Sequence, residues 1–245
     1  MYLKKKMEAI HLLILIIGVG LGFYVQSVIG FAAALVALPI ILNVLNIQDS
    51  VALMSIFFLI FSIVLICKNW KLIDKKIILE MSIGIITGLF LGIYILKFGS
   101  PIILKKILGI FVILFVGYLF IKKKKIRFFK KLGLLFGFTG GTFSGLFSTG
   151  GPPFVFYIYN KLDKSNIIRA TIIGTIGITD FIRFPLLIFS DILTYDIFLK
   201  SLYVLPFFFL SLYLGHKTYY RVNENIFKNI LMIFLILSGI SLIVR

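Results

Sequence analysis

Apolar residues run along this chain in long blocks, and the charged and polar residues gather in the short breaks between them. A helix needs about 20 apolar residues to cross the hydrocarbon layer of a bilayer. Eight blocks approach that length: residues 8–25, 50–66, 77–96, 102–121, 132–147, 167–189, 197–214 and 226–244. Each predicts a membrane helix. Two further apolar stretches, residues 31–45 and 154–159, are short or irregularly flanked, and the second is far too short to cover roughly 30 Å as a helix. They predict half-helices or re-entrant segments. The expected fold is an all-α integral membrane bundle, duplicated, with eight to ten transmembrane segments and two broken or re-entrant helices.

Composition removes the soluble alternative. Of 245 residues 60% are hydrophobic and 14% charged, with a mean hydropathy of +1.11; a soluble domain of this size has too little interior to hide that much apolar surface. The net charge of +17 sits in short runs: Lys4 to Lys6, residues 68–76, and the KKKKIRFFKK run at 122–131. Runs of this kind between apolar blocks orient helices as cytoplasmic loops and attract anionic headgroups. Membrane lipids are the expected partners and nucleic acid is not. The basic start followed by an apolar block lacks the small-residue cleavage site of a signal peptide, so residues 11–25 predict a retained first helix. The chain is expected in the cell membrane, plasma or inner, as a multi-pass protein. Its single cysteine, Cys67, excludes an internal disulfide.

An internal repeat narrows the architecture further. KKILGIFVIL, beginning at Lys105, matches KNILMIFLIL, beginning at Lys228. At the same offset upstream, Gly88 and Gly92 correspond to Ser211 and Gly215, both small-xxx-small pairs that allow close helix approach. Near the front of each half, Gln26, Ser27 and Gly30 fall opposite Ser144, Gly145 and Ser148 at a slightly smaller offset. The expected organisation is a first transmembrane repeat at 1–121, a basic cytoplasmic linker at 122–131 and a second repeat at 132–245. With four crossings per half the repeats are parallel; with five they are inverted. Loop charge does not choose between them. Repeats of this kind build secondary transporters, whose sites lie near the midplane at the repeat interface.

Candidate chemistry collects at the two irregular places, because backbone that leaves a helix inside a membrane must line a cavity or be covered by protein. The first is GFYVQSVIGFAAALVALP, residues 22–39, with Gln26 and Ser27 deep in an apolar run and Gly30 and Phe31 at the break. The second is GFTGGTFSGLFSTGGPPF, residues 137–154, where Ser144, Ser148 and Thr149 precede Gly150, Gly151, Pro152 and Pro153. A helix is expected to end before Gly150 and another to start at the prolines, since proline is tolerated in a first turn and breaks a helix interior. The positive end of such a half-helix suits an anion. Packing is the plain reading for Gly18, Gly20 and Gly22. Asp180 and Arg183, one turn apart within an apolar block, predict a structural ion pair, with Asp180 as a proton carrier or Arg183 as an anion contact the sharper alternative. Arg169, near the start of that block, is either an interfacial arginine or an attractor of anions at a cavity mouth. Glu80 and His11 read as ordinary interfacial residues. No cofactor and no metal site is expected, because His11 and His216 have no partner at ligand spacing.

At the two glycine-rich breaks the sequence resembles the sulfite exporter TauE/SafE family, also called the toluene-sulfonate uptake permease family. The resemblance rests on VQSVIGFAAALVALP, residues 25–39, on GTFSGLFSTGGPPFVFYIYN, residues 141–160, and on IIRAT, residues 167–171. The second-half signature, a glycine-serine break, then GGPP, then an Arg-Ala-Thr helix start, is nearly complete. In the first half Ala32 and Ala33 stand where relatives often carry glycine. The resemblance implies a polytopic permease for small sulfur-containing anions such as sulfite or organosulfonates. Carried over residue by residue, the expected substrate-binding set is Gln26, Ser27, Gly30, Phe31, Ser144, Ser148, Thr149, Gly150, Gly151, Pro152 and Arg169, the two breaks facing one another across a central anion site. Asp180 is the candidate for proton coupling. A small anionic solute is the expected partner, and a homo-oligomer is compatible with the sequence. A membrane-embedded enzyme is the reading from another class, but paired carboxylates, metal-binding histidines or an activated nucleophile are missing. A passive anion channel is the third. No GxxxxGK[ST] loop supplies nucleotide chemistry.

Overall fold

The computed structural model describes the backbone of residues 2–29, 32–120, 132–219 and 224–244, and the side chains of 9–28, 32–67, 69–117, 132–218 and 231–244. Gly30, Phe31 and the basic linker at 122–131 lie outside the described residues. Within them the chain is all helical. The α-helices are α1 (Tyr2–Ile29), α2 (Ala33–Ile41), α3 (Ile47–Asn69), α4 (Lys75–Phe98), α5 (Pro101–Phe120), α6 (Gly133–Phe147), α7 (Gly151–Lys161), α8 (Ser165–Phe189), α9 (Tyr195–Tyr219) and α10 (Glu224–Val244), with a 3₁₀ turn at Trp70–Leu72.

Every apolar block is a helix, and both short stretches are separate short helices. At 1.5 Å per residue the 9 residues of α2 and 11 of α7 extend only about 14 and 17 Å, well under the roughly 30 Å hydrocarbon thickness. Among the described residues five helices are long and apolar enough to cross a membrane by length and composition: α1, α3, α4, α8 and α9. The boundary that differs most from the hydropathy reading is the start of the first helix. Helix α1 reaches back to Tyr2, so Lys4 to Lys6 belong to a helix and not to a loop; lysine is a good helix former, and charge ends an apolar block without ending a helix.

Local signals account for the starts. Asp74 caps α4, its Oδ1 accepting from the amides of Lys76 at 3.0 Å and Ile77 at 3.3 Å. Asn46 does the same for α3, with Oδ1 accepting from the Asp49 amide at 2.7 Å. Both satisfy amides that have no partner in the first helical turn. Helix α5 opens on Pro101, whose missing N–H is harmless at that position.

The chain forms two compact units, and each draws helices from both sequence halves. The first unit comprises Met1–Leu53, Ser100–Ile121 and Thr194–Arg245. In it α1 packs on α2 and α9, and α5 packs on α10. Phe23 of α1 meets Phe208 of α9 edge to face, centroids 4.8 Å apart, both fully buried. Gly215 of α9 lies against the backbone of Tyr24 and the side chain of Ser27, and Gly109 of α5 lies against Gly239 of α10.

The second unit comprises Met54–Gly99 and Lys122–Leu193. Its main contact is α4 on α6, with α7 and α8 covering them. Gly84, Gly88 and Gly92 recur every four residues along α4 and meet the backbone of α6, whose own Gly137, Gly141 and Gly145 face α4. The core beside this seam is Ile77, Met81, Ile85, Leu89, Phe154, Tyr157 and Ile158. The two units therefore use equivalent pairings. In one, the broken α1 packs on α9; in the other, the broken α6 packs on α4. Of the small residues matched in sequence, Gly88 and Gly92 lie in the α4–α6 seam and Gly215 in the α1–α9 seam.

Candidate functional site

In the first unit the break follows α1. Ala32 takes φ 86°, ψ 8°, a left-handed conformation that costs a residue with a Cβ about 1 kcal/mol or more. Gln26 stabilises the restart. It is 3% exposed, and its Oε1 accepts a 3.0 Å hydrogen bond from the amide of Ala33, the first residue of α2. The side-chain carbonyl thus caps the half-helix, and only the amide nitrogen has the donor chemistry that an anion needs. Ser27 packs against Gly215. Gly18 and Gly22 lie against Ile41 and against Ala33 and Ala37 of α2, whereas a methyl on Gly20 meets nothing within 4 Å. Packing is thus the role of Gly18 and Gly22.

In the second unit α6 stops at Phe147 because Ser148 turns left-handed, φ 57°, ψ 25°. Its amide returns to the Ser144 carbonyl at 2.9 Å, and the Thr149 amide reaches the Phe143 carbonyl at 3.3 Å. Helix α7 then opens with Gly151, Pro152 and Pro153. Two prolines at the start mean that Gly150 and Gly151, and not the prolines themselves, must supply any amide donors here. A methyl on Gly150 would collide with the Ser144 hydroxyl and the Gly140 carbonyl. Glycine at that position lets the chain fold back onto α6.

Two hydroxyls at this break stand apart from the others. Thr175 and Thr179 of α8, also buried, bond back to the carbonyls of Thr171 and Thr175 at 2.8 and 2.7 Å, as hydroxyls in apolar helices do. Ser148 and Thr149, 8% and 4% exposed, have hydroxyl oxygens with no hydrogen-bond partner. An unpartnered buried hydroxyl forfeits about 1–3 kcal/mol.

Beside the break lies a buried charged cluster. The Asp180–Arg183 pair expected from spacing forms, with Arg183 Nη2 2.9 Å from Asp180 Oδ1 and the side chains 1% and 3% exposed. Ser62 of α3 donates to Asp180 Oδ2 at 2.7 Å. Arg183 Nη1 donates to the Ser144 carbonyl at 3.1 Å, which docks the guanidinium on the last turn of α6, and its carbon lies 5.5 Å from the centroid of the Phe58 ring. Arg169 is exposed near the start of the same helix. At 1.5 Å per residue it sits about 21 Å along α8 from Arg183, so Arg183 rather than Arg169 is the arginine at the break. Spacing along the sequence showed the pair; that it reaches Ser144 was not legible there. Glu80 also does more than a free interfacial charge. Its Oε2 accepts from Tyr157 Oη and contacts Lys161 Nζ, both at 2.9 Å, tying α7 to α4.

The broken helices, the glycine seams and the GGPP restart are now joined by a sequence comparison: the family model described as Sulfite exporter TauE/SafE matches residues 14–242. The chain belongs to this family. As a TauE/SafE member it is a multi-pass membrane protein of a transport family, and its long apolar helices agree with that. Comparison with curated proteins and with solved structures finds no match. The matched region contains both breaks, and within it the second unit brings together Ser144, Ser148, Thr149, Gly150, Gly151, Pro152 and Arg183. In the first unit Gln26 lies at the restart of α2 and Ser27 against Gly215 of α9.

Proposed function

We propose that this protein is a secondary permease for a small oxyanion, a sulfur oxyanion or an organosulfonate such as sulfite, in the cell membrane. The observation that carries this reading is the pair of buried, unpartnered hydroxyls of Ser148 and Thr149 at the α6–α7 break. Hydroxyl donors and the positive end of a half-helix are complementary to an oxyanion and to little else in an apolar surround. The two short helices are taken as re-entrant or broken spans of a duplicated bundle with repeats at 1–121 and 132–245, Gln26, Ser27, Gly30 and Phe31 contributing the first-half counterpart of the site. Asp180 is assigned the coupling proton, since it is the acid buried beside the break.

Purified protein in liposomes is expected to take up labelled sulfite or a sulfonate, with saturation and counterflow, and faster when a pH gradient is imposed. Flux without saturation or counterflow favours a channel. Ser148→Ala with Thr149→Ala is expected to lower uptake about tenfold or more at unchanged expression, as loss of two hydrogen bonds to a charged ligand implies. Normal uptake by that variant, or no flux across a broad anion panel, refutes the assignment.

A further inference from the structure

An arginine buried only to hold a carboxylate is expected to use its bidentate edge for it. That edge consists of Nε and Nη2, two parallel N–H groups matched to two oxygens of an oxyanion. In Arg183 this edge makes no hydrogen bond; the 2.9 Å approach of Nη2 to Asp180 Oδ1 is an ion pair without hydrogen-bond direction. The Nη1 end instead is anchored on the Ser144 carbonyl, the same atom that accepts from the Ser148 amide. The guanidinium is thus held by its far corner on the turn that carries the two unpartnered hydroxyls, with Phe58 lying alongside. Asp180 is restrained in turn by Ser62.

We propose that Arg183 is a substrate-binding residue, its Nε/Nη2 edge gripping two oxygens of the transported oxyanion while Ser148 and Thr149 reach a third. Asp180 is a positioning residue. It neutralises and orients the guanidinium in the empty site and takes up the coupling proton as the anion arrives, so that anion binding substitutes one negative charge for another next to Arg183. An unpaired charge is not left buried at either stage, which is the condition for tolerating a guanidinium there at all. A sulfite or sulfonate, with three oxygens on one sulfur, satisfies the fork and the hydroxyls together; a halide offers the fork no second acceptor. The inference rests on the oxyanion-permease reading and names the residue that recognises the charge in it.

The test uses the whole chain, purified in detergent, and follows its thermal unfolding against sodium sulfite and sodium methanesulfonate, with sodium chloride at matched ionic strength as control. Wild type is expected to be stabilised by the oxyanions with a saturating midpoint. The double variant Asp180→Asn/Arg183→Gln removes both charges and so avoids an unpaired one. It is expected to unfold near the wild-type temperature without ligand and to need about tenfold or more oxyanion for half-effect, the loss of a charge-assisted bond. Asp180→Asn alone leaves Arg183 unpaired. Its unfolding temperature is expected to fall without ligand and to be recovered by sulfite, with a larger shift than in wild type. A double variant with the wild-type midpoint overturns the role of Arg183 while leaving the permease reading intact. Failure of sulfite to recover Asp180→Asn does the same, and this arm decides alone if the double variant does not fold. A wild type that responds to no oxyanion overturns the permease reading and this inference with it.

Discussion

The α4–α6 seam makes the sharpest test of the fold, because the same small substitution should have opposite effects at two glycines. A methyl on Gly88 would stand 2.8 Å from the Thr142 amide nitrogen and 3.0 Å from the Phe138 carbonyl carbon, and closer still to the Phe138 oxygen, where ordinary contact begins at 3.4 Å. These neighbours are backbone, so no side chain can swing aside. The helices must separate by about 1 Å, which sacrifices a quarter to a half of the dispersion energy of the contacts that open. Overpacking of this sort costs about 1–3 kcal/mol, against which alanine returns about 1 kcal/mol of helix propensity over glycine. Gly88→Ala is therefore expected to destabilise by up to about 2 kcal/mol. Gly20 in α1 meets nothing within 4 Å, so Gly20→Ala collects only the propensity gain and should be neutral or stabilising by about 0.5–1 kcal/mol. For a chain of this size 1 kcal/mol corresponds to about 2–4 °C. Thermal unfolding of the purified variants side by side in one detergent reads the difference, and equal midpoints, or a Gly88→Ala protein melting above Gly20→Ala, refute the seam.

Other predictions concern the breaks and the tie between α4 and α7. Ala32→Gly, which relieves the left-handed strain at φ 86°, should raise stability by about 0.5–1 kcal/mol, seen as a higher unfolding midpoint; a drop argues against that backbone. Gln26→Ala leaves the Ala33 amide without its acceptor and should cost about 1–3 kcal/mol, measurable in the same scan, whereas Gln26→Glu, which keeps the acceptor, should lose less. Tyr157→Phe removes the donor to Glu80 at an expected cost of about 0.5–1.5 kcal/mol, and faster proteolysis in the loop after Lys161 should accompany it.

Much of the fold is visible in hydropathy because a bilayer imposes one requirement that can be read linearly. A backbone crossing it must satisfy its own polar groups, so each apolar block becomes a helix. Residues 77–96 and 167–189 are examples that came within two residues at each end of α4 and α8. The α6 stop was also readable, since Gly150, Gly151, Pro152 and Pro153 carry the turn chemistry in their own covalent structure. Start and stop at α1 were less so. Lys4 to Lys6 end the apolar block yet continue the helix.

The site was legible in part for the same reason. Ser148 and Thr149 announced themselves by adjacency to the GGPP run, but whether a hydroxyl bonds its own helix or faces a ligand depends on where the preceding carbonyls point. Thr175 and Thr179 bond back to their own helix and Ser148 and Thr149 do not, with nothing in residue type to separate them. Glu80 looked like any interfacial acid until Tyr157 and Lys161, some 80 residues later, were placed against it.

By itself, then, the sequence determined the medium, the helical class and the positions of both breaks, all of which follow from properties of neighbouring residues: transfer energy and backbone dihedral limits. Tertiary structure alone decided that helices of different halves pair, α1 with α9 and α4 with α6, and that Arg183 reaches Ser144 across 39 positions of chain. Those are matters of which surfaces touch. A glycine every fourth residue licenses a close approach, but its partner is chosen by the complementary groove it meets, and that groove exists only once the chain has folded.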